Sequence, residues 1–227
     1  MEYAEVLKYV NEYFSRWGDK PTRKYSDVFE ETPGIYINQM PGSTNTAISI
    51  GFRQLNFVQS SRVQLEIISK VIGDAAFESR LMQEIRIKRG LVYNLGAFTN
   101  FYNEKATIGF TAVCANESVN EVVKIMIREF QNARAYGLTE VELSRVKRVL
   151  QTKKLLELES VVEQLKFLGG CAVLGKHFSL ELDLRTLRDV NQDDINATTA
   201  EVLQSNRMGY ASIGDYDVDE VLMGLND

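Results

Sequence analysis

The chain has 227 residues, 44% of them apolar, enough for one sizeable core or two small ones. Its net charge is -5, with Lys and Arg scattered among Asp and Glu, so no basic stripe is available to neutralise phosphate and nucleic acid is excluded as a partner class. No apolar run approaches the roughly 20 residues of a membrane span, and Met1 leads into Glu2 and Tyr3 rather than a basic and then apolar leader. The expectation is a soluble protein without signal or anchor, its compartment undetermined, cytoplasm or periplasm if the source is bacterial.

From the N-terminus, Val6, Leu7, Val10 and Phe14 recur at helical spacing and predict an amphipathic helix over Tyr3 to Trp17, ending before Gly18 and Pro21. Gly34 to Met40 and Thr46 to Phe52 are β-rich, and the turn chemistry of Pro41-Gly42-Ser43 between them predicts a hairpin or neighbouring strands. A long helical stretch is expected from about Ser60 to Arg89, carried by Val63, Ile67, Val71, Phe77, Leu81 and Ile85 and stopped by Gly90. Leu91 to Phe101 and Lys105 to Ala115 read as two strands of a hairpin joined at Tyr102-Asn103-Glu104.

Glu117 to Tyr136 reads as a helix closed by Gly137, and Thr139 with Glu142 matches a capping box opening another helical stretch at Glu140. Gly169-Gly170 is expected to interrupt that stretch, as a bend or a close-packing point. Helices near Leu180 to Val190 and Gln192 to Leu203, a strand over Met208 to Ile213 and a short helix from Val218 complete the chain. Strands grouped early, helices grouped late and no strict βαβ alternation predict an α+β two-layer sandwich, helices on a largely antiparallel sheet. No Gly-rich phosphate loop follows a strand. Glu5-Val6-Leu7 followed by Val10-Asn11-Glu12 recurs as Glu220-Val221-Leu222 followed by Leu225-Asn226-Asp227. That echo predicts a duplicated unit whose first copy is removed, making this chain one repeat, trimmed at its start.

Zinc hydrolases recruit two or three histidines and a serine triad needs one held by a carboxylate, yet His177 is the sole histidine here. It stands in Leu174-Gly175-Lys176-His177-Phe178 with no acidic or Cys neighbour at ligand spacing, and reads as a loop residue. Cys114 and Cys171 are far apart in apolar surroundings and read as buried free thiols.

The stretch Phe77-Glu78-Ser79-Arg80-Leu81, continuing from Glu84 through Arg86 and Gly90 to Tyr93, resembles the second-half signature of the pitrilysin (insulinase) family and the mitochondrial processing peptidases. Gly137-Leu138-Thr139-Glu140 with Glu142, Asp193-Asp194-Ile195-Asn196 and the strand into Gly214-Asp215-Tyr216-Asp217 extend the match along most of the chain. The resemblance implies a single second-half domain over residues 1–227, one of two related α+β halves that enclose a chamber. In that family the first half binds zinc through His-x-x-Glu-His and a downstream Glu, and the second contributes an arginine and a tyrosine, which fall here on Arg86 and Tyr93.

The implied activity is hydrolysis of extended or unfolded peptides, with no cofactor in this chain and zinc in a partner half. The implied partners are that zinc-bearing half and the peptide, with homo-oligomerisation left open. Peptide hydrolysis builds negative charge on the former carbonyl oxygen, and donors aimed at that oxygen lower the barrier. Arg86 offers a planar cationic fork, Tyr93 a hydroxyl, and Gly90 the reversal that would bring both to one accessible side. The competing reading treats Arg86 as one of a group of helix-end cations with Arg80, Lys88 and Arg89, and Tyr93 as a packing residue. The rival function is a catalytically inactive assembly or peptide-binding subunit of the same fold.

Overall fold

The computed structural model describes residues 2–17, 33–54, 61–74, 78–102, 105–173 and 179–226. The chain divides into two units, one up to Glu31 and one from Thr32 onward, each taken by itself. The first holds α1 (Tyr3–Phe14), an amphipathic helix on which Tyr9 and Tyr13, one turn apart, stack with ring centroids 6.5 Å apart. It stops at Phe14 rather than Trp17.

The second unit is built on a five-stranded sheet of order β1-β5-β2-β4-β3. The strands are β1 (Ile35–Gln39), β2 (Asn45–Gln54), β3 (Val92–Phe101), β4 (Ala106–Ala115) and β5 (Met208–Gly214). All pairings are antiparallel except β1 with β5. The expected hairpin of β3 and β4 is present. The expected pairing of β1 with β2 is not, because β5 lies between them. The turn between them does form: Gly42 adopts φ +83° and the Ser43 N–H donates to the Met40 carbonyl at 3.1 Å. It wraps around the end of β5 instead of closing a hairpin, since the Met40 N–H donates to the Gly214 carbonyl (2.7 Å) and the Gly42 N–H to Asp215 (2.9 Å).

Alternation along β2 is what divides the sheet's faces. Thr46, Ile48, Ile50, Phe52 and Gln54 are buried, while Ala47, Ser49, Gly51 and Arg53 stay partly accessible. Against the buried face pack α2 (Arg62–Gly73), α3 (Val119–Tyr136) and α7 (Gln192–Val202). The core between the layers is apolar and includes Phe130, whose ring meets Phe52 edge-on at 5.2 Å and Phe110 at 4.9 Å.

The helical expectation over Ser60 to Arg89 is corrected in an instructive way. Helix α2 ends at Gly73, and Asp74 is extended. A Cβ on Gly73 would stand 2.4 Å from the Phe110 ring, so the helix approaches the sheet at a point where only glycine fits. The second part of the stretch is a separate π-helix, Met82–Ile87. Farther on, α4 (Glu140–Glu157) and α5 (Val161–Val173) separate at residues 158–160, so Gly169 and Gly170 lie inside α5. Nothing lies within 4 Å of a Cβ on either glycine, so they make neither the break nor a close-packing point. Then come α6 (Leu180–Asp189), α7 and, after β5, α8 (Val218–Asn226). Cys114 is buried, and burial pushes its thiol up to about 11; Cys171 is only half-buried.

Candidate functional site

The segment from Glu78 to Tyr93 is anchored at both ends by ion pairs. At its start Arg80 makes a bidentate pair with Glu142, through Nε at 2.7 Å and Nη2 at 2.8 Å, and Nη2 also donates to the Gly137 carbonyl at 2.9 Å. Glu142 completes the expected capping box with Thr139 at the head of α4. Asn196 of α7 accepts from the Leu138 N–H at 2.8 Å. Three stretches far apart in sequence, around Arg80, Gly137 to Glu142 and Asn196, therefore meet in one knot.

Between the anchors, Leu81, Met82 and Ile85 are buried and pin one face of the π-helix to the core. Its wider winding shows in the Lys88 N–H donating to the Gln83 carbonyl, five residues back, at 3.0 Å. At the far end Glu84 collects three cations: Lys88, Arg89 at 2.9 Å and, more distantly, Arg128 at 3.6 Å. The hydrogen bond from Lys88, and then that from Arg89, hold the Glu84 carboxyl below the usual range. Sequence reasoning did not single out Glu84. The available signal was its spacing four residues before Lys88, the favourable order for a helical ion pair.

Arg86 belongs to the same run but behaves differently. It is exposed, and among the described residues its side chain has neither an ion pair nor a hydrogen bond, whereas Arg80, Lys88 and Arg89 are all paired. The helix then terminates at Gly90, whose φ is +66°. The Gly90 N–H returns to the Arg86 carbonyl and the Leu91 N–H to the Ile85 carbonyl, both at 3.0 Å. This nested pair resembles a Schellman close, one residue wider to suit the π winding.

Tyr93 follows at the start of β3, where the register with β4 slips between Val92 and Asn94. Val92 and Leu95 are buried while Tyr93 and Asn94 are both exposed, Tyr93 at 69%. The bulge breaks the alternation and turns two consecutive side chains away from the core. Both predicted site residues are thus accessible and flank the reversal at Gly90.

Gly90→Ala should destabilise the fold by about 1 kcal/mol, the cost of a left-handed conformation for an L side chain. Nothing lies within 4 Å of the added Cβ, so backbone strain is the whole effect. Denaturant midpoints measure it, and Gly90→Asn should cost less because asparagine tolerates that region.

Among the described residues no group of three or more His, Cys, Asp and Glu side chains could hold a metal ion. His177 and Phe77 lie outside the described residues. The described side chains therefore do not fit a zinc site. No helix among them is long and apolar enough to cross a membrane.

The sheet order and the helices packed on one face define an α+β domain. Residues 1–150 match the family described as the peptidase M16 inactive domain, and the chain belongs to that family. Similar proteins include an uncharacterized zinc protease of Mycobacterium tuberculosis, 28% identical over 172 residues that make up 75% of this chain and 39% of the relative. A peptidase M16 inactive domain from Pseudomonas fluorescens superposes with a TM-score of 0.72 at 20% identity, over 81% of this chain and 43% of that one. A protease from Helicobacter pylori gives 0.80 at 15% identity, over 94% and 53%. At these identities the solved structures show the fold. This chain spans less than half the length of the mycobacterial relative.

Proposed function

We propose that residues 1–227 form the second half of a zinc endopeptidase for extended peptides, lending Arg86 and Tyr93 to a site whose zinc is held by another half. The observation that carries this reading is the contrast within one short segment. Every other cation from Arg80 to Arg89 is neutralised by a carboxylate, and Arg86 is left exposed with no partner among the described residues.

Zinc bound by the other half would supply an activated water and polarise the scissile carbonyl. In this chain Arg86 would present its fork to the negative charge that develops on the carbonyl oxygen, and Tyr93 would donate its hydroxyl to the same region. The reversal at Gly90 lies between the two residues and the β3 bulge falls at Tyr93, and both support this reading. An extended substrate suits a site that two halves must complete together, because a folded protein could not enter between them.

The test is Arg86→Lys in the complete protein carrying both halves. Lysine keeps the charge and loses the planar fork, so turnover of an unstructured peptide should fall about 10- to 100-fold with zinc content unchanged. Wild-type turnover would assign the chain to an inactive assembly or peptide-binding role.

A further inference from the structure

We infer that α1 is a docking helix for the zinc-bearing half, closing that half as α8 closes this one. This rests on the proposed function for the identity of the partner.

The sequence echo sets Glu5-Val6-Leu7 and Val10-Asn11-Glu12 against Glu220-Val221-Leu222 and Leu225-Asn226-Asp227. What the later copy does is visible. Helix α8 packs on α3, with Val221 and Gly224 buried and Leu225 half-buried against the core. A Cβ on Gly224 would stand 3.5 Å from the Lys124 side chain, and Asn120, one turn earlier on α3, donates its amide to Glu220. The contact is therefore made by one apolar face, with a carboxylate tied down at its start.

Helix α1 repeats that face and leaves it uncovered. Val6, Tyr9 and Val10 stand where α8 has Val221, Gly224 and Leu225, and they are 40%, 44% and 44% exposed. Leu7, Tyr13 and Phe14 widen the same apolar side, while Glu5, Lys8 and Glu12 occupy the other. No residue of α1 is buried, although a helix of 12 residues is marginal in water and takes its stability from packing such a face. Glu5, the counterpart of Glu220, has no side-chain hydrogen bond or ion pair among the described residues. In this half the matching seat on α3 is already filled by α8, and a second copy of the chain would offer a seat filled in the same way. A related half supplies another: an apolar helix in the place of α3, with a donor for Glu5 where Asn120 stands and a small residue where Lys124 stands, since Tyr9 needs room that Gly224 does not.

Hydrogen–deuterium exchange on this chain alone and on the complete protein carrying both halves tests the docking. Amides of α1 should exchange at nearly unprotected rates in the chain alone and at least about 100-fold more slowly in the complete protein. Val6→Asp combined with Val10→Asp should return them to the fast rate there. Equal rates in the two proteins would overturn the inference: fast in both leaves α1 undocked, and slow in both seats it on this half. Slow exchange in the doubly substituted complete protein would overturn it too, because the apolar face would not be the contact. Protection that rises with the concentration of the chain alone, together with dimers in sedimentation, would assign α1 to a second copy and overturn it likewise. Should the double variant fail to fold, the comparison of the two parent proteins still decides. Arg86→Lys leaves the apolar face of α1 intact, so wild-type turnover of that variant would sink the catalytic reading alone. Unprotected α1 in a complete protein whose turnover does fall with Arg86→Lys would sink the docking alone.

Discussion

Tyr93→Phe is expected to lower kcat in the complete two-halved protein by about 10²- to 10³-fold, the usual cost of deleting one donor to a developing oxyanion. The substitution is clean because the hydroxyl has no role in the fold. Tyr93 is 69% exposed, and among the described residues its side chain has no hydrogen-bond partner. The ring remains, the bulge at Val92 and Asn94 is made by the backbone, and stability should stay within about 0.5 kcal/mol of the parent. A donor that acts mainly in the transition state should depress kcat and kcat/KM together, with KM nearly unmoved. Steady-state and single-turnover kinetics on one peptide separate the two parameters, and metal analysis confirms that zinc content is the same. A kcat within twofold of the parent would make Tyr93 an ordinary surface tyrosine.

The parts of this molecule that were legible in its sequence are those in which short-range chemistry decides. Gly90 and Gly137 both adopt positive φ at the helix ends where they were expected, and the Thr139–Glu142 capping box forms as its spacing implies. The β3–β4 hairpin and the late helices follow from local periodicity. What escaped was set by distant partners. Nothing in Pro41-Gly42-Ser43 could announce that β5, whose residues lie far along the chain, inserts between β1 and β2. Helix α2 ends where Gly73 meets Phe110 across the core, a contact that no local pattern announces, and a helical period persists on both sides of it. The π winding of Met82–Ile87 is equally invisible, since one extra residue per turn over so short a span leaves the apolar spacing almost unchanged.

The site divides along the same line. Arg86 and Tyr93 were identified by resemblance, and their accessibility was expected from the reversal at Gly90. Their distinction from neighbouring residues needed coordinates. Only the pairing of Lys88 and Arg89 with Glu84 sets Arg86 apart from its neighbours, and only the bulge explains why Tyr93 and Asn94 both turn outward. The motif segments around Arg80, Gly137 to Glu142 and Asn196 likewise read as separate signals until they are seen to converge.

That convergence gives the largest expected effect on stability: Arg80→Ala or Glu142→Ala should cost about 2 to 4 kcal/mol, somewhat below the figure for a fully buried pair broken on one side. Their side chains are only 17% and 15% exposed, so either truncation strands a charge with little access to water. Glu142→Ala should be the worse of the two, since it also removes the reciprocal cap on α4. Arg80→Lys should recover only part of the loss, because a point charge cannot hold both carboxylate oxygens and the Gly137 carbonyl at once. A double-mutant cycle measures the coupling. Acid dependence supplies an independent check. Burial by itself would raise the Glu142 carboxyl, but the Arg80 hydrogen bond, followed by the Thr139 N–H and the Arg80 charge, outweighs it and holds the group below its ordinary value. A carboxyl depressed in the folded state contributes stability that is fully present above its unfolded value, about 4.3, and is lost as pH falls through the folded value. The stability gap between the parent and Glu142→Gln should therefore be constant near neutrality and shrink under acid. A gap that persists unchanged well below the carboxylate range would show that shape, not charge, holds this knot together, and the placement of the segment carrying Arg86 would rest on the packing of Leu81, Met82 and Ile85 and on the ion pairs of Glu78 and Glu84.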